Sequence, residues 1–158
     1  MLYAAFYRGR SRFFDRAVQW WTRGPYSHCE IVLGSYVAGT HLCASASMMD
    51  GGVRVKSITL DPEKWVLVPL PGTAEPQVQR WLRHHTGQPY DLAGLLGFLW
   101  RPQQGTARRW FCSEACAAML GLPEAWRYCP NTLHSALTLL HAPHLRHAPP
   151  HDAGSRPA

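Results

Sequence analysis

The sequence lacks both the cysteine pairs of a zinc ribbon and the even cysteine count of a disulfide framework. It has five cysteines among 158 residues, and none of them belongs to a CxxC pair. Disulfide-stapled secreted domains and zinc ribbons depend on such pairs, so both classes are disfavoured. Reduced thiols in a cytosolic compartment are the simpler interpretation.

The chain also lacks a hydrophobic run long enough to cross a bilayer. Its longest apolar run, residues 92–100, is less than half of the roughly 20 residues that a membrane-spanning helix needs. The opening residues, MLYAAFYRGRSR, do not have the basic-then-apolar order of a secretory signal. The sequence therefore predicts a soluble cytoplasmic protein without a transmembrane segment.

Charged residues are sparse, at 16% of the chain, whereas 46% of residues are hydrophobic and seven are tryptophan. This composition excludes a disordered chain, and the length fits one domain. The net charge of +6 permits contact with nucleic acid, an anionic membrane surface or an acidic polymer. The basic residues are nearly all arginine and are scattered, so we expect no specific nucleic-acid binding.

The apolar pattern divides the chain into a strand-rich first half and a helical second half. Alternating or continuous apolar runs, separated by turn signals such as the DGG at 50–52, predict five strands. Their connections are too short for parallel crossovers, so we expect an antiparallel meander. The predicted strands are 2–7, 28–33, 40–47, 53–58 and 65–70, and the predicted helices lie at 11–22, 75–86, 91–100, within 111–123 and at 132–140.

These elements predict one α+β domain over residues 1–140, with an antiparallel sheet of about five strands and helices packed on one side. Asp91 and Asn131 lie at the starts of two predicted helices and are expected to cap them. Residues 141–158 are rich in proline, histidine and alanine and have no periodicity, so we predict a disordered tail.

Cys112 lies where an irregular loop enters a predicted helix, and small residues follow it. At a helix N-terminus, the dipole and free N–H groups stabilise a thiolate, and the same N–H groups can receive an oxyanion. Taken alone, the residue is as readily interpreted as a buried structural cysteine. Cys116, one helical turn later, and Cys29 are expected to pack in the core.

His28 opens a predicted strand, and Glu30 follows two residues later, on the same face of a regular strand. A carboxylate at that position can hold the imidazole tautomer and stabilise its charged form. An isolated HxE triplet specifies little, and a strand-edge histidine beside a solvated glutamate is the alternative interpretation.

Six segments, taken in order, carry a family resemblance: YSHCEIVLG, ASAS, GGVRV, GQPYDLAGLLGF, WFCSEACAAMLGL and CPNTL. The series resembles the permuted, YiiX-like branch of the NlpC-type papain-like cysteine hydrolases, in which the histidine strand precedes the cysteine helix. Lecithin:retinol acyltransferase-like proteins share that order. The resemblance covers roughly residues 3–140 and implies a circularly permuted papain-like fold.

The resemblance implies that Cys112 is the nucleophile and His28 the general base. Many relatives have a polar residue on the following strand, just before an alanine, and Ser45 holds that place here. If Leu33 pairs with Thr40 across the intervening turn, Ser45 falls opposite His28. A serine orients an imidazole only weakly, which favours a carboxylate for the third role.

Glu30 is therefore the predicted third member of the site, and Ser45 is the alternative. Tyr26, Tyr90 and Ser113 are candidates for lining the cleft. We expect no metal ion and no cofactor, and the oligomeric state is left open.

The predicted function is a cysteine peptidase or amidase that acts through a thioester acyl-enzyme on peptide or isopeptide bonds, such as those of peptidoglycan. Lipid acyl hydrolysis or transfer is the alternative, because the apolar segment 92–100 can border a greasy cleft. A non-catalytic binding module is a further alternative, although such a module does not need a cysteine, a histidine and an acid together.

Overall fold

The computed structural model describes residues 2–34, 39–91 and 109–141. Within these ranges the predicted α+β class and the five strands are confirmed. The strands are β1 (Tyr3–Tyr7), β2 (His28–Val32), β3 (Thr40–Ser47), β4 (Gly52–Thr59) and β5 (Trp65–Pro69). The α-helices are α1 (Phe13–Trp21), α2 (Glu75–His85), α3 (Cys112–Met119) and α4 (Pro130–His141).

Two sequence predictions fall wholly or largely outside the described residues. The helix at 91–100 is one of them, so the capping role of Asp91 is not visible either. The other is the disordered tail at 141–158, of which only the first residue is described. None of the helices in the described ranges is long and apolar enough to span a bilayer.

The five strands form one antiparallel sheet in the order β4-β3-β2-β1-β5. The first four strands follow one another as the predicted meander. The fifth returns to the far edge and pairs with β1, from Tyr3 opposite Pro69 to Tyr7 opposite Trp65. This return places the start of β2 near the middle of the sheet, where helix and strand side chains surround it.

One face of the sheet carries the main core, together with α2, α3 and α4. Apolar side chains from the first three strands meet those of the three helices there; these include Phe6, Ile31, Ala44, Val78, Leu82, Ala115, Met119, Leu133 and Leu137. A smaller cluster lies elsewhere in the sheet, around Ala5, Val32, Cys43 and Leu60. Helix α1 contributes no residue to either cluster, so three of the four described helices share the main core.

The predicted pairing of β2 with β3 is wrong by two residues. Ile31 pairs with Ala44, and the Leu33 N–H donates to the Leu42 carbonyl, so Leu33 does not pair with Thr40. The observed register keeps the small Ala44, rather than a leucine, opposite Ile31 beneath α3. The β2–β3 pairing ends at Ile31 and Ala44, so Ser45 is not paired with His28.

The predicted capping role of Asn131 is also wrong. Helix α4 begins at Pro130, two residues before its predicted start, where a proline loses no hydrogen bond because the first helical N–H has no partner in the helix. The Asn131 amide instead donates to the Thr22 hydroxyl (2.7 Å) and the Tyr26 carbonyl (2.9 Å), and its oxygen accepts from the Tyr26 N–H (3.0 Å). Asn131 thus fixes the turn that leads into β2.

Candidate active site

Cys112 is the first residue of α3 and is 5% exposed. Alanines and a cysteine on α3 allow the helix to lie close against β2 and β3. Tyr90 is held beside it by the segment 87–90, which pairs with the start of β4. A Cβ at Gly52 would collide with the Gln88 carbonyl, so this close pairing requires a glycine there.

His28 and Glu30 meet on the strand next to that helix. The Nε2 atom of His28 lies 2.7 Å from Oε1 of Glu30, whose side chain is completely buried. The histidine begins β2, so its ring lies at the end of the strand, where it reaches both the glutamate and the Cys112 thiol. The structure therefore brings Cys112, His28 and Glu30 together.

The electrostatics of this cluster favour a thiolate beside an imidazolium. Burial alone would lower the pKa of His28, but the charge and hydrogen bonding of Cys112 and of Glu30 raise that pKa well above its usual value. The pKa of Cys112 lies well below that of an ordinary thiol. A hydrogen bond from Cys29 is the largest cause, and His28 adds to it against the opposing effect of burial.

Cys29 is a contributor that the sequence analysis assigned to the core only. It is buried as predicted, yet its thiol and its backbone N–H both hydrogen-bond Cys112. Burial, followed by hydrogen bonding to Cys112 and Cys116, raises the pKa of Cys29 well above its usual value. Cys29 therefore stays protonated and can donate a hydrogen bond to a thiolate at Cys112.

Arg54 on β4 is the second contributor that sequence reasoning missed. Its guanidinium donates two short hydrogen bonds to the Glu30 carboxylate, at 2.7 Å to Oε2 and 2.6 Å to Oε1. Burial would raise the pKa of Glu30, but Arg54 and His28 together lower it. Arg54 also donates to Asp50 (2.9 Å), which accepts from Lys56 as well (2.8 Å). A charged network thus holds Glu30 ionised and fixed.

The other predicted site residues divide into two groups. Tyr90 and Ser113 line the same cavity as Cys112, as expected. The Tyr90 hydroxyl accepts a hydrogen bond from the Cys112 N–H, and burial raises the pKa of that hydroxyl. The Ser113 hydroxyl donates to the Tyr128 carbonyl at 2.7 Å.

Ser45 and Tyr26 lie away from the histidine and the cavity, respectively. The Ser45 hydroxyl donates to the Cys29 carbonyl at 2.7 Å. Ser45 therefore does not orient His28. Tyr26 is not among the residues that line the cavity. Its ring packs against Phe6 and His134, because Asn131 of α4 hydrogen-bonds the backbone of Tyr26 and holds it near that helix.

A large open groove gives access to the cluster. Its volume is about 1120 Å³, and Cys112, His28 and Glu30 all line it. Helix α1 forms one of its borders, and a turn after β3 forms another. The apolar part of the lining comes mainly from aromatic residues and methionines, among them Phe14, Trp20, Trp21, Met48, Met49, Trp65 and Phe111. The groove therefore combines a reactive end with long apolar borders.

Comparisons of this chain with protein-family models, with curated proteins and with solved structures give no match. The chemistry of the site accordingly has to be argued from its own residues.

Proposed function

We propose that this protein is a cysteine hydrolase in which Cys112 attacks a carbonyl carbon and His28 moves the protons. The thiolate of Cys112 forms a thioester with the substrate acyl group, while the bond to the leaving group breaks. His28 gives its proton to the leaving amine or alcohol. Water then attacks the thioester and gives a proton to His28, and the acid is released as the Cys112 thiolate is restored beside the imidazolium.

In this proposal Glu30 and Arg54 serve the histidine. Glu30 holds the imidazole through Nε2 and stabilises its positive charge during the first step. Arg54 fixes the glutamate through two hydrogen bonds and keeps it ionised. First-turn backbone N–H groups of α3, of which that of Cys112 contacts the Tyr90 hydroxyl, are the candidate donors to the oxyanion.

The observation that carries the proposal is the convergence of three side chains from separate positions in the chain. A histidine with a raised pKa contacts both a cysteine with a lowered pKa and a buried carboxylate, and all three side chains line one groove. Perturbed groups arranged in this way are concentrated at catalytic sites. The order of the histidine strand before the cysteine helix also supports a circularly permuted papain-like fold, which is part of the proposal.

For the substrate we propose a peptide or isopeptide bond, of the type found in peptidoglycan cross-links. Acyl transfer or hydrolysis on a lipid is the second candidate, and the apolar borders of the groove favour it. A cytoplasmic site of action and the absence of specific nucleic-acid binding also remain part of the proposal.

The test is the rate of Cys112 alkylation by iodoacetamide as a function of pH, resolved by site with mass spectrometry. We expect Cys112 of the wild type to react rapidly at a pH well below the ordinary thiol pKa of about 8.5. His28→Ala should lower this rate by about ten-fold or more, because the thiolate loses its cationic partner. His84→Ala, which removes an exposed histidine from α2, is the matched control and should leave the rate unchanged.

Substrate panels then separate the candidates. Activated amides and esters of short peptides and of fatty acids are mixed with the protein, and intact mass reveals the thioester on Cys112. Accumulation with peptidyl compounds supports the amidase, whereas accumulation with long-chain acyl compounds alone supports the lipid enzyme. A Cys112 that reacts like the other thiols, with or without His28, would refute the hydrolase and leave a binding module.

A further inference from the structure

Helix α1 is amphipathic, but its polar side faces the protein and its apolar side faces solvent. Asp15 and Gln19 are buried, whereas Phe13 is 89% exposed and Trp20 is 76% exposed. A helix on the surface of a globular protein normally turns its apolar stripe toward the core. The reversal leaves large aromatic side chains in water, which monomeric proteins usually avoid except at interaction sites.

Polar contacts explain how the reversed helix is held in place. The Gln19 amide donates to the carbonyls of Gly9 (2.9 Å) and Pro25 (2.7 Å). Asp15 accepts from the Ser27 hydroxyl at 3.1 Å. These bonds connect α1 to the loops on either side of it and fix its orientation, with the aromatic side chains directed toward solvent.

Exposed methionines on the turn after β3 lie next to these aromatic residues. Met49 is 68% exposed, and its sulfur contacts the guanidinium of Arg12. We call the combined area the aromatic surface, and it consists of Phe13, Trp20, Met48 and Met49. It borders the groove that leads to Cys112, because Trp20, Met48 and Met49 also line that groove.

The charges on and beside α1 are mainly positive, and Asp50, which follows Met49, is paired with Arg54 and Lys56. Residues 8–23 contain five arginines and one acidic residue, Asp15, which is buried and hydrogen-bonded. Arg12, Arg16 and Arg23 are exposed on or beside α1. An anionic occupant is therefore favoured.

We propose that the aromatic surface binds an anionic lipid bilayer and brings the mouth of the Cys112 groove to the membrane interface. Tryptophan and phenylalanine insert at the level of the headgroups, and neighbouring arginines attract anionic lipid. Binding is measured without substrate, so its outcome is independent of whether Cys112 acts as a nucleophile.

The test is co-sedimentation of the full chain with vesicles of phosphatidylcholine, with and without added phosphatidylglycerol. We expect binding to the anionic vesicles that weakens as salt is added. Trp20→Ser should weaken the partition by about ten-fold or more, through loss of buried apolar area. Arg16→Gln should weaken it about five-fold, since one basic residue near the surface contributes this much.

The matched control is Leu139→Ser, which removes an exposed apolar side chain (57%) from α4 and should leave binding unchanged. Absence of binding to anionic vesicles, equal binding to neutral vesicles, or binding that survives Trp20→Ser would each overturn the proposal. Two further measurements on the vesicle-free protein address other occupants. Concentration-dependent dimerisation that Trp20→Ser abolishes would assign the surface to a second copy, and protection of Trp20 from hydroxyl radicals in the monomer would assign it to the chain itself.

Discussion

Helices α1 and α3 both border the groove, and each buries a carboxyl group at its third residue. Asp15 in α1 accepts a hydrogen bond from the Arg12 N–H, and Glu114 in α3 accepts one from the Phe111 N–H. Both bonds satisfy a backbone donor that the helix itself leaves free. In both helices the carboxyl group of the third residue thus caps the N-terminus.

The surroundings of the two carboxyl groups differ. The second oxygen of Asp15 accepts from the Ser27 hydroxyl, whereas Oε2 of Glu114 is buried and has no hydrogen-bond partner among the described residues. Burial, with a smaller contribution from the nearby charge of Asp91, raises the pKa of Glu114 to about 7. A carboxyl group with a pKa of about 7 is only partly ionised at neutral pH, so it adds less negative charge to the first turn of α3 than an ordinary glutamate would.

The packing of the two helices differs in the same sense. Helix α3 is buried on nearly every side by apolar contacts, and its small residues permit this. Helix α1 is held by hydrogen bonds and leaves its apolar side in solvent. Helix α3 is therefore a fixed part of the core, whereas α1 is anchored by polar contacts and keeps its apolar side exposed.

A matched pair of alanines gives the largest expected difference between the helices. Ala115 of α3 is completely buried, and Ala17 of α1 is exposed. We expect Ala115→Leu to lower the free energy of unfolding by about 1–3 kcal/mol, because the added atoms have no space against the sheet. Ala17→Leu should change it by less than about 0.5 kcal/mol.

The measurement is urea denaturation of both variants and the wild type, followed by far-ultraviolet circular dichroism. Equal losses of stability in the two variants would contradict the proposed difference in packing. A native-like near-ultraviolet spectrum of Ala17→Leu serves as the control that its tertiary structure is kept.

The second prediction concerns the Glu114 carboxyl and pH. Its pKa in the folded protein, about 7, is higher than the ordinary value of 4.5, so the folded state binds the proton more tightly than the unfolded state. The stabilisation is therefore fully present below about pH 4.5 and is lost as the pH rises toward 7. After allowance for solvent screening, we expect a loss on the order of 1–2 kcal/mol.

Glu114→Gln should remove this part of the pH dependence, because glutamine keeps the hydrogen-bond acceptor and cannot ionise. The free energy of unfolding of both proteins is measured from pH 4.5 to pH 8. Their difference isolates Glu114 from His28 and Cys112, which titrate in both proteins. Parallel curves across the whole range would show that Glu114 does not ionise with a raised pKa.

Much of this fold follows from periodicity in the sequence. Alternating apolar residues locate all five strands to within about two residues, since each strand has a buried face. The direction of α1 does not follow, although its helical spacing does. The carbonyls of Gly9 and Pro25 that turn Gln19 inward belong to loops, and their position depends on the completed fold.

The site residues also differ in whether they can be found from the sequence alone. Cys112 and His28 can be singled out through the ordered series of segments in which they lie, and Glu30 through its spacing from His28. Arg54 cannot be found in this way, since it reaches Glu30 from β4, on the far side of β3, and that contact depends on the pairing of β3 with β4.

Cys29 is missed for a related reason. Strand alternation correctly turns it away from His28, but α3 packs on that side and brings Cys112 to it. Contacts that arise from packing between distant elements leave no pattern in a single sequence.

The smallest expected effect comes from the anchor of α1. Gln19→Ala removes hydrogen bonds to the carbonyls of Gly9 and Pro25, which water can partly replace because neither residue is buried. We expect a loss of about 1 kcal/mol in the free energy of unfolding. In amide hydrogen exchange, α1 of the variant should lose protection while α3 keeps it. If α1 remains as protected as in the wild type, polar anchoring does not hold this helix, and the outward position of Trp20 needs another cause.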